Sequence, residues 1–257
     1  MSRQAPRGLY DPSFEHDSCG FGLIASLDDT ASHWLVETAI DSLTRLTHRG
    51  AVAADGKTGD GCGLLLKFPE RFFREIGRAS GMRLGERFAA GTVFLSQDEQ
   101  LADATRAEIE TAIDAGGLAT AGWRRVPVNP ELCGELALKT LPRIEQVFVN
   151  APRGMPRGTF NRALFLARRR AEKRFRAIDP TAYVASLSSA SISYKGMVMP
   201  DMLSGFYPDL KDPRLETSVC IFHQRFSTNT LPEWRLAQPF RFLAHNGEIN
   251  TLQGNEN

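Results

Sequence analysis

A mixed α and β domain with stacked sheets is predicted from three observations on this chain. Short apolar runs bounded by glycine, proline or charge recur from Gly20 onward, stretches with helical spacing are few, and no repeat, low-complexity tract or linker separates them. Many short strands with few helices suit sheet stacked on sheet better than one doubly wound sheet. At 257 residues, 42% hydrophobic and 24% charged, the chain has enough apolar content for a sizeable core.

Residues 1–18, with Pro6, Gly8, Pro12 and mixed charges, follow neither period and read as a loose leader, so order is expected to begin at Cys19. Gly20 to Leu27 reads as a strand. From Ser32, the positions Leu35, Ala39, Leu43 and Leu46 recur at helical spacing, and Gly50 is expected to end that helix. The glycine-rich stretch Asp55 to Gly63 leads into a buried strand from Leu64 to Phe68, and a loop so rich in glycine brings backbone close to something. Thr92 to Leu95 reads as a strand, and Ser96-x-x-Glu99 as a capping box opening a helix that Gly116-Gly117 stops. Trp123 to Val128 and Gln146 to Val149 are further strands. Thr159 is expected to cap a helix carrying Leu164, Ala167, Ala171, Phe175 and Ile178, with Arg168 to Arg176 on its solvated face. Tyr183 to Leu187, Ser191 to Tyr194, Val219 to Phe222 and Phe240 to Ala244 complete the strands.

The formal net charge of +1 gives no global field for nucleic acid or anionic lipid, and the basic stretch Arg168 to Arg176 has no stacking platform of interleaved aromatics, so nucleic-acid binding is not expected. No apolar run approaches a membrane span, and residues 1–18 lack a signal peptide's apolar core; a cytoplasmic protein without a membrane partner is expected. Cysteines 19, 62, 133 and 220 form no C-x-x-C pair, which argues against a zinc site and a secreted disulfide framework. Gly56-Lys57-Thr58 looks like the end of a phosphate-binding loop, but five residues separate Gly50 from Gly56 where four are needed, and a helix precedes the loop where a strand is required.

Near the C-terminal end, Arg225 closes one apolar run and Asn246-Gly247 another. A guanidinium, a side-chain amide and a backbone N–H at two strand ends suit a carboxylate on one side and a developing oxyanion on the other. Cys19, followed by Gly20, is the candidate nucleophile. By residue type alone it would be a buried inert thiol. If the leader is removed after Ser18, however, Cys19 carries a free α-amine with a pKa of about 7.7 to 8.0, a base suited to taking a thiol proton. That amine removes the need for an imidazole base, so His223 and His245 are expected to be structural.

These residues resemble the class II glutamine amidotransferases through Cys19-Gly20, Arg49-Gly50, the Gly-Asp-Gly loop, His223 to Thr230 and His245 to Asn250. Ala53 to Gly61, Tyr194-Lys195-Gly196-Met197 and Trp234 to Arg241 are most similar to the branch formed by the glutaminase domains of glutamate synthases. The resemblance implies a leader (1–18) and an incomplete amidotransferase domain (19–257) of the four-layer αββα N-terminal-nucleophile hydrolase fold, truncated on its C-terminal side. It implies that Cys19 attacks the side-chain amide of L-glutamine, that the Asn246 side chain and the Gly247 N–H form the oxyanion hole, and that Arg225 binds the α-carboxylate. Arg49 would support the substrate site; read locally, it is a capping charge at a helix end. Cys62 stands where many relatives have alanine and is expected to be a small buried residue, although the loop places a second thiol near the site. Ammonia would pass to 2-oxoglutarate in a synthase domain absent from these residues. That domain would bind FMN and an iron–sulfur cluster and be served by a reductase subunit or ferredoxin.

Two alternatives stand beside this reading: the glutaminase part of another class II amidotransferase, and a non-catalytic remnant. The isolated chain is expected to be unstable or weakly active, because an acidic residue that binds the substrate's α-amine in the family lies beyond residue 257, with further core strands.

Overall fold

The apolar runs form eight strands in the computed structural model, which describes residues 20–224 and 232–240. In chain order they are β1 (Phe21–Ala25), β2 (Cys62–Lys67), β3 (Phe88–Leu95), β4 (Ala119–Arg125), β5 (Arg143–Asn150), β6 (Tyr183–Val184), β7 (Ser191–Gly196) and β8 (Val219–Gln224). They build two antiparallel four-stranded sheets, ordered β1-β8-β2-β7 and β4-β5-β3-β6. The class is α+β. Residues 1–19, the Arg225 end of the β8 run and most of the run from Phe240 to Ala244 lie outside the described residues.

Several boundaries differ from the sequence expectation for local reasons. The strand expected from Trp123 to Val128 begins at Ala119, because a register irregularity between Thr120 and Gly122 breaks the alternation that marks a strand. The strand expected from Tyr183 to Leu187 stops at Val184, where the amides of Ala185 and Ser186 both turn to the Thr92 carbonyl. β3 is buried along its whole length, which explains why the alternation test finds only half of it.

The first helix, α1 (His33–Arg45), is capped by Ser32, whose hydroxyl accepts from the Leu35 amide at 3.3 Å, and buries Leu35, Val36, Ala39 and Leu43. It ends before Gly50, through a 3-10 turn at Thr47–Arg49. Gly50 is extended (φ −90°, ψ 159°) and is no left-handed cap. A Cβ there would overlap the Gln224 amide, so close approach is the reason for glycine. Helix α2 (Glu70–Ala79) is absent from the sequence expectation. Two (i, i+4) ion pairs, Glu70–Arg74 and Arg71–Glu75, mark its surface, while Phe72 and Phe73 enter a cluster of rings with Phe68, Phe88 and Phe148.

Helix α3 (Glu99–Asp114) is capped by Asp98, which accepts from the Gln100 and Leu101 amides; Ser96 serves only the Asp98 amide. A carboxylate two residues nearer the helix replaces the expected Ser96 capping box. After the short α4 (Glu135–Lys139), α5 (Arg157–Phe175) starts ahead of Thr159 with Pro156 at its cap, and Ile178 falls outside it, 37% exposed. A short α6 (Leu203–Phe206) follows β7. α3 and α5 bury Ile109, Ala112, Ile113, Leu164, Ala167 and Ala171 with Ala89, Val93, Val147 and Val149 of the second sheet. The remaining core joins α1, α2 and α6 to both sheets through Leu43, Leu64, Phe148 and Tyr207. Each large side chain so buried contributes roughly 1.5–3 kcal/mol before its ordering cost. Arg168 to Arg174 lie on α5 and Arg176 is its C-cap, with Arg169 paired to Glu172 and Arg174 to Glu108.

Candidate functional site

One end of the first sheet gathers the described parts of the predicted motifs. Gly20, buried, accepts a 2.6 Å hydrogen bond from the Gln224 amide, and Gln224 in turn lies opposite Cys62, which lies opposite Gly196. Among the described residues, pairing between β1 and β8 thus reaches Gly20 and Gln224, the sequence neighbours of Cys19 and Arg225. Arg49 is the one predicted site residue within the described part. It closes the 3-10 turn after α1, and Gly50 behind it packs against the Gln224 amide and the Asp60 carboxylate. Cys19, Arg225, Asn246 and Gly247 lie outside the described residues, as does His245.

The glycine loop reaches the same sheet end and is tightly laced. Asp55 accepts from the Thr58 hydroxyl at 2.6 Å and from the Leu136 amide at 3.0 Å; these bonds, the Thr58 hydroxyl first, hold its carboxyl well below the usual carboxylate range. Thr58 Oγ1 accepts from the Ala137 amide, and the Ala137 carbonyl accepts from Trp234 Nε1 at 3.1 Å. Lys57 Nζ is bonded to the Glu131 carbonyl. The Lys57 ammonium and the Thr58 hydroxyl are thus both committed to partners within the protein.

The glycines seat a second segment. Gly61 (φ 114°) would place a Cβ 3.0 Å from that of Ala237, and Gly63 would place one 2.5 Å from Lys195 Cβ, 2.7 Å from the Tyr194 carbonyl oxygen and 2.8 Å from that of Gln238. Gly63→Ala is expected to destabilise the domain by roughly 3 kcal/mol, since two of those contacts are backbone in a filled core. Chemical denaturation of the variant beside the unaltered protein checks it.

Lys195 closes this arrangement. Its side chain is fully buried, and Nζ donates to the carbonyls of Arg235 (3.1 Å) and Ala237 (2.6 Å). The faces of Phe240 and Tyr183 lie 4.5 and 4.9 Å from it. Burial lowers its pKa to about 7. Cys62 is buried with its thiol donating to the Val198 carbonyl, and burial first, then the Asp60 charge, raises its pKa; Cys133 is pushed up to about 11 and Cys220 further, again by burial. These three are inert thiols, and Cys62 is the small buried residue expected. His223 is also fully buried and stacks on Phe21, matching the structural role expected for it.

A family model described as "Glutamine amidotransferases class-II" matches residues 19–257. The chain belongs to the class II glutamine amidotransferases. It is 47% identical over 253 residues to the glutamate synthase [NADPH] large chain of Azospirillum brasilense, covering 96% of this chain and 17% of that protein. Identity to the corresponding protein of Bacillus subtilis is 42% over 252 residues (98% and 17%), and to ferredoxin-dependent glutamate synthase 2 of Synechocystis 40% over 245 residues (95% and 16%). The chain therefore spans about 17% of the length of these curated relatives. Class II amidotransferase membership implies the N-terminal-nucleophile hydrolase fold, with which two antiparallel sheets and flanking helices agree.

Two buried residues of the candidate site are given no role by the sequence. Gln224 is buried, and neither amide atom has a hydrogen-bond partner among the described residues. Lys195 stands in the Tyr194 to Met197 phrase, but only its burial distinguishes it from a surface lysine. Among the described residues no group of three His, Cys, Asp or Glu side chains could hold a metal ion, and no helix is long and apolar enough to cross a membrane.

Proposed function

We propose that this chain is the glutamine-hydrolysing part of a glutamate synthase. The carrying observation is that pairing between β1 and β8 brings Gly20 and Gln224 together, and their sequence neighbours are the proposed nucleophile Cys19 and the proposed carboxylate ligand Arg225. Gly50, the residue after Arg49, packs against the same Gln224, and this nearness in sequence supports a substrate-side role for Arg49.

In this reading, removal of residues 1–18 frees the Cys19 α-amine, which takes the thiol proton. The thiolate attacks the side-chain amide carbon of glutamine, and the oxyanion is held by the Asn246 amide and the Gly247 N–H. Collapse breaks the C–N bond, the proton leaves with ammonia, and water cleaves the glutamyl thioester to give glutamate and restore the thiol. Arg225 holds the α-carboxylate through a paired contact. The fold is the four-layer αββα arrangement, and residence in the cytoplasm belongs to the same reading. FMN, an iron–sulfur cluster, the site that passes ammonia to 2-oxoglutarate and the docking of a reductase or ferredoxin are assigned to the remainder of the synthase.

Intact mass followed by labelling with a glutamine-like electrophile tests the reading: loss of residues 1–18 and one label on Cys19 are expected. A retained leader with no label on Cys19 would refute it. Arg225→Ala is expected to raise KM for glutamine roughly 10- to 100-fold with a smaller effect on kcat, because a charge-assisted contact made in the ground state is lost. Steady-state kinetics on glutamine alone separates the two constants, and an unchanged KM would remove Arg225 from the substrate site.

A further inference from the structure

Lys195 is costly where it stands. It is fully buried on β7, and no described carboxylate compensates it. An apolar side chain would fill the space without that penalty, so the lysine is explained by what its three donors do. Two point at the carbonyls of Arg235 and Ala237, at the end of the 3-10 turn Trp234–Leu236 and just after it. The aromatic faces of Tyr183 and Phe240 complete the cage.

The sheet register ties this cage to the candidate site. Lys195 lies opposite Gly63, and Gly63 lies opposite His223, one residue inside the sheet end at Gln224. Two strand spacings, roughly 10 Å, separate β7 from β8. Gly63 has no side chain, and the Gln238 carbonyl fills the place where a Cβ would stand. The segment held by Lys195 continues from Gln238 through Phe240 toward Asn246-Gly247 in sequence.

We propose that Lys195 is a positioning residue for glutamine hydrolysis: by holding the Arg235 and Ala237 carbonyls it fixes the path along which the chain enters the oxyanion-hole motif. This rests on the glutaminase reading. A donor displaced by about 1 Å can cost 10²-fold in rate, so loosening this anchor acts on kcat more than on KM. Since the anchor is strongest when Nζ is charged, kcat also falls as the lysine loses its proton. Of the groups facing Lys195, Tyr183 on β6 has its phenol pushed up to about 12 by burial, and Tyr207 donates to the lysine's own carbonyl. The Arg235 guanidinium pairs with Glu233, and His223 lies two strands away in the same row. The lysine is therefore the group among them expected to titrate with an alkaline limb.

The experiment uses the full-length protein and its K195M and K195R variants, with kcat and KM for glutamine measured between about pH 6 and 9.5 and hydrogen exchange followed at residues 234–238. In the unaltered protein, kcat is expected to fall on an alkaline limb while protection of 234–238 decreases beyond the intrinsic pH effect. K195M is expected to lose roughly 10-fold or more in kcat with KM within about 3-fold, and K195R to recover part of the rate without the alkaline limb. Normal kcat and an unchanged profile in K195M overturn this proposal alone. Protection of 234–238 that is independent of pH in the unaltered protein overturns it even if K195M does not fold. Absence of glutamine hydrolysis by the unaltered protein overturns the glutaminase reading and this proposal together.

Discussion

Cys19→Ala is expected to reduce glutamine hydrolysis by the full-length protein by roughly 10³-fold or more, because removing the nucleophile disables a unit whose parts act together. No other described thiol can stand in. Cys62, the nearest in the sheet register, is fully buried and donates a hydrogen bond to the Val198 carbonyl, and burial keeps it, Cys133 and Cys220 in the thiol form. The variant should also lose covalent labelling by a glutamine-like electrophile while its thermal unfolding stays within a few degrees. Hydrolysis above about a tenth of the unaltered rate would remove Cys19 from the mechanism.

Stability should rise with pH between about 7 and 10.5 in the unaltered protein by an amount that Lys195→Met abolishes. The folded protein holds Lys195 at a pKa of about 7, while the unfolded chain keeps the ordinary value of 10.5. Between the two, the unfolded state binds the proton and the folded state does not, so unfolding becomes harder as pH rises. The burial penalty is present in full below the folded pKa and has vanished above the unfolded one. Across the whole window it amounts to at most about 5 kcal/mol. Denaturant midpoints for the domain's transition at several pH values, compared between the unaltered protein and K195M, isolate this slope from every other titrating group. Parallel curves would show that the lysine keeps its proton throughout.

Most elements of the fold can be read from the order of residues, and what escapes has physical causes. β2 and β8 are short apolar runs between polar or glycine boundaries, and the sequence finds them, while of β5 and β7 it finds the parts Gln146 to Val149 and Ser191 to Tyr194. α2 escapes because its apolar face, Phe72, Phe73 and Ile76, lies within ten residues, shorter than the window over which helical periodicity stands out. The Asp98 cap is hidden by a competing Ser96-x-x-Glu99 pattern, and Thr159 competes in the same way with the Pro156 start of α5. In the candidate site, the glycine loop predicts close backbone approach but not its partners, which are the carbonyl of Gln238 and the side chain of Ala237. Gly50 showed itself as glycine but for a different reason, contact with Gln224 instead of a helix cap. Lys195 was illegible as an anchor because a buried cation is recognised by what surrounds it, and its partners come from β6 and from residues 235–240.

The pairing of Phe21 with His223 and of Gly20 with Gln224 makes the chain unequally tolerant of changes in length. Losing or gaining a residue in the exposed turn 152–154 would be absorbed where nothing depends on parity. The same event inside β8 would exchange the faces of His223 and Gln224, because strand side chains alternate. Insertions and deletions among natural variants should therefore accumulate in the second sheet's connections and be purged from the 219–224 stretch, even where substitutions there are accepted.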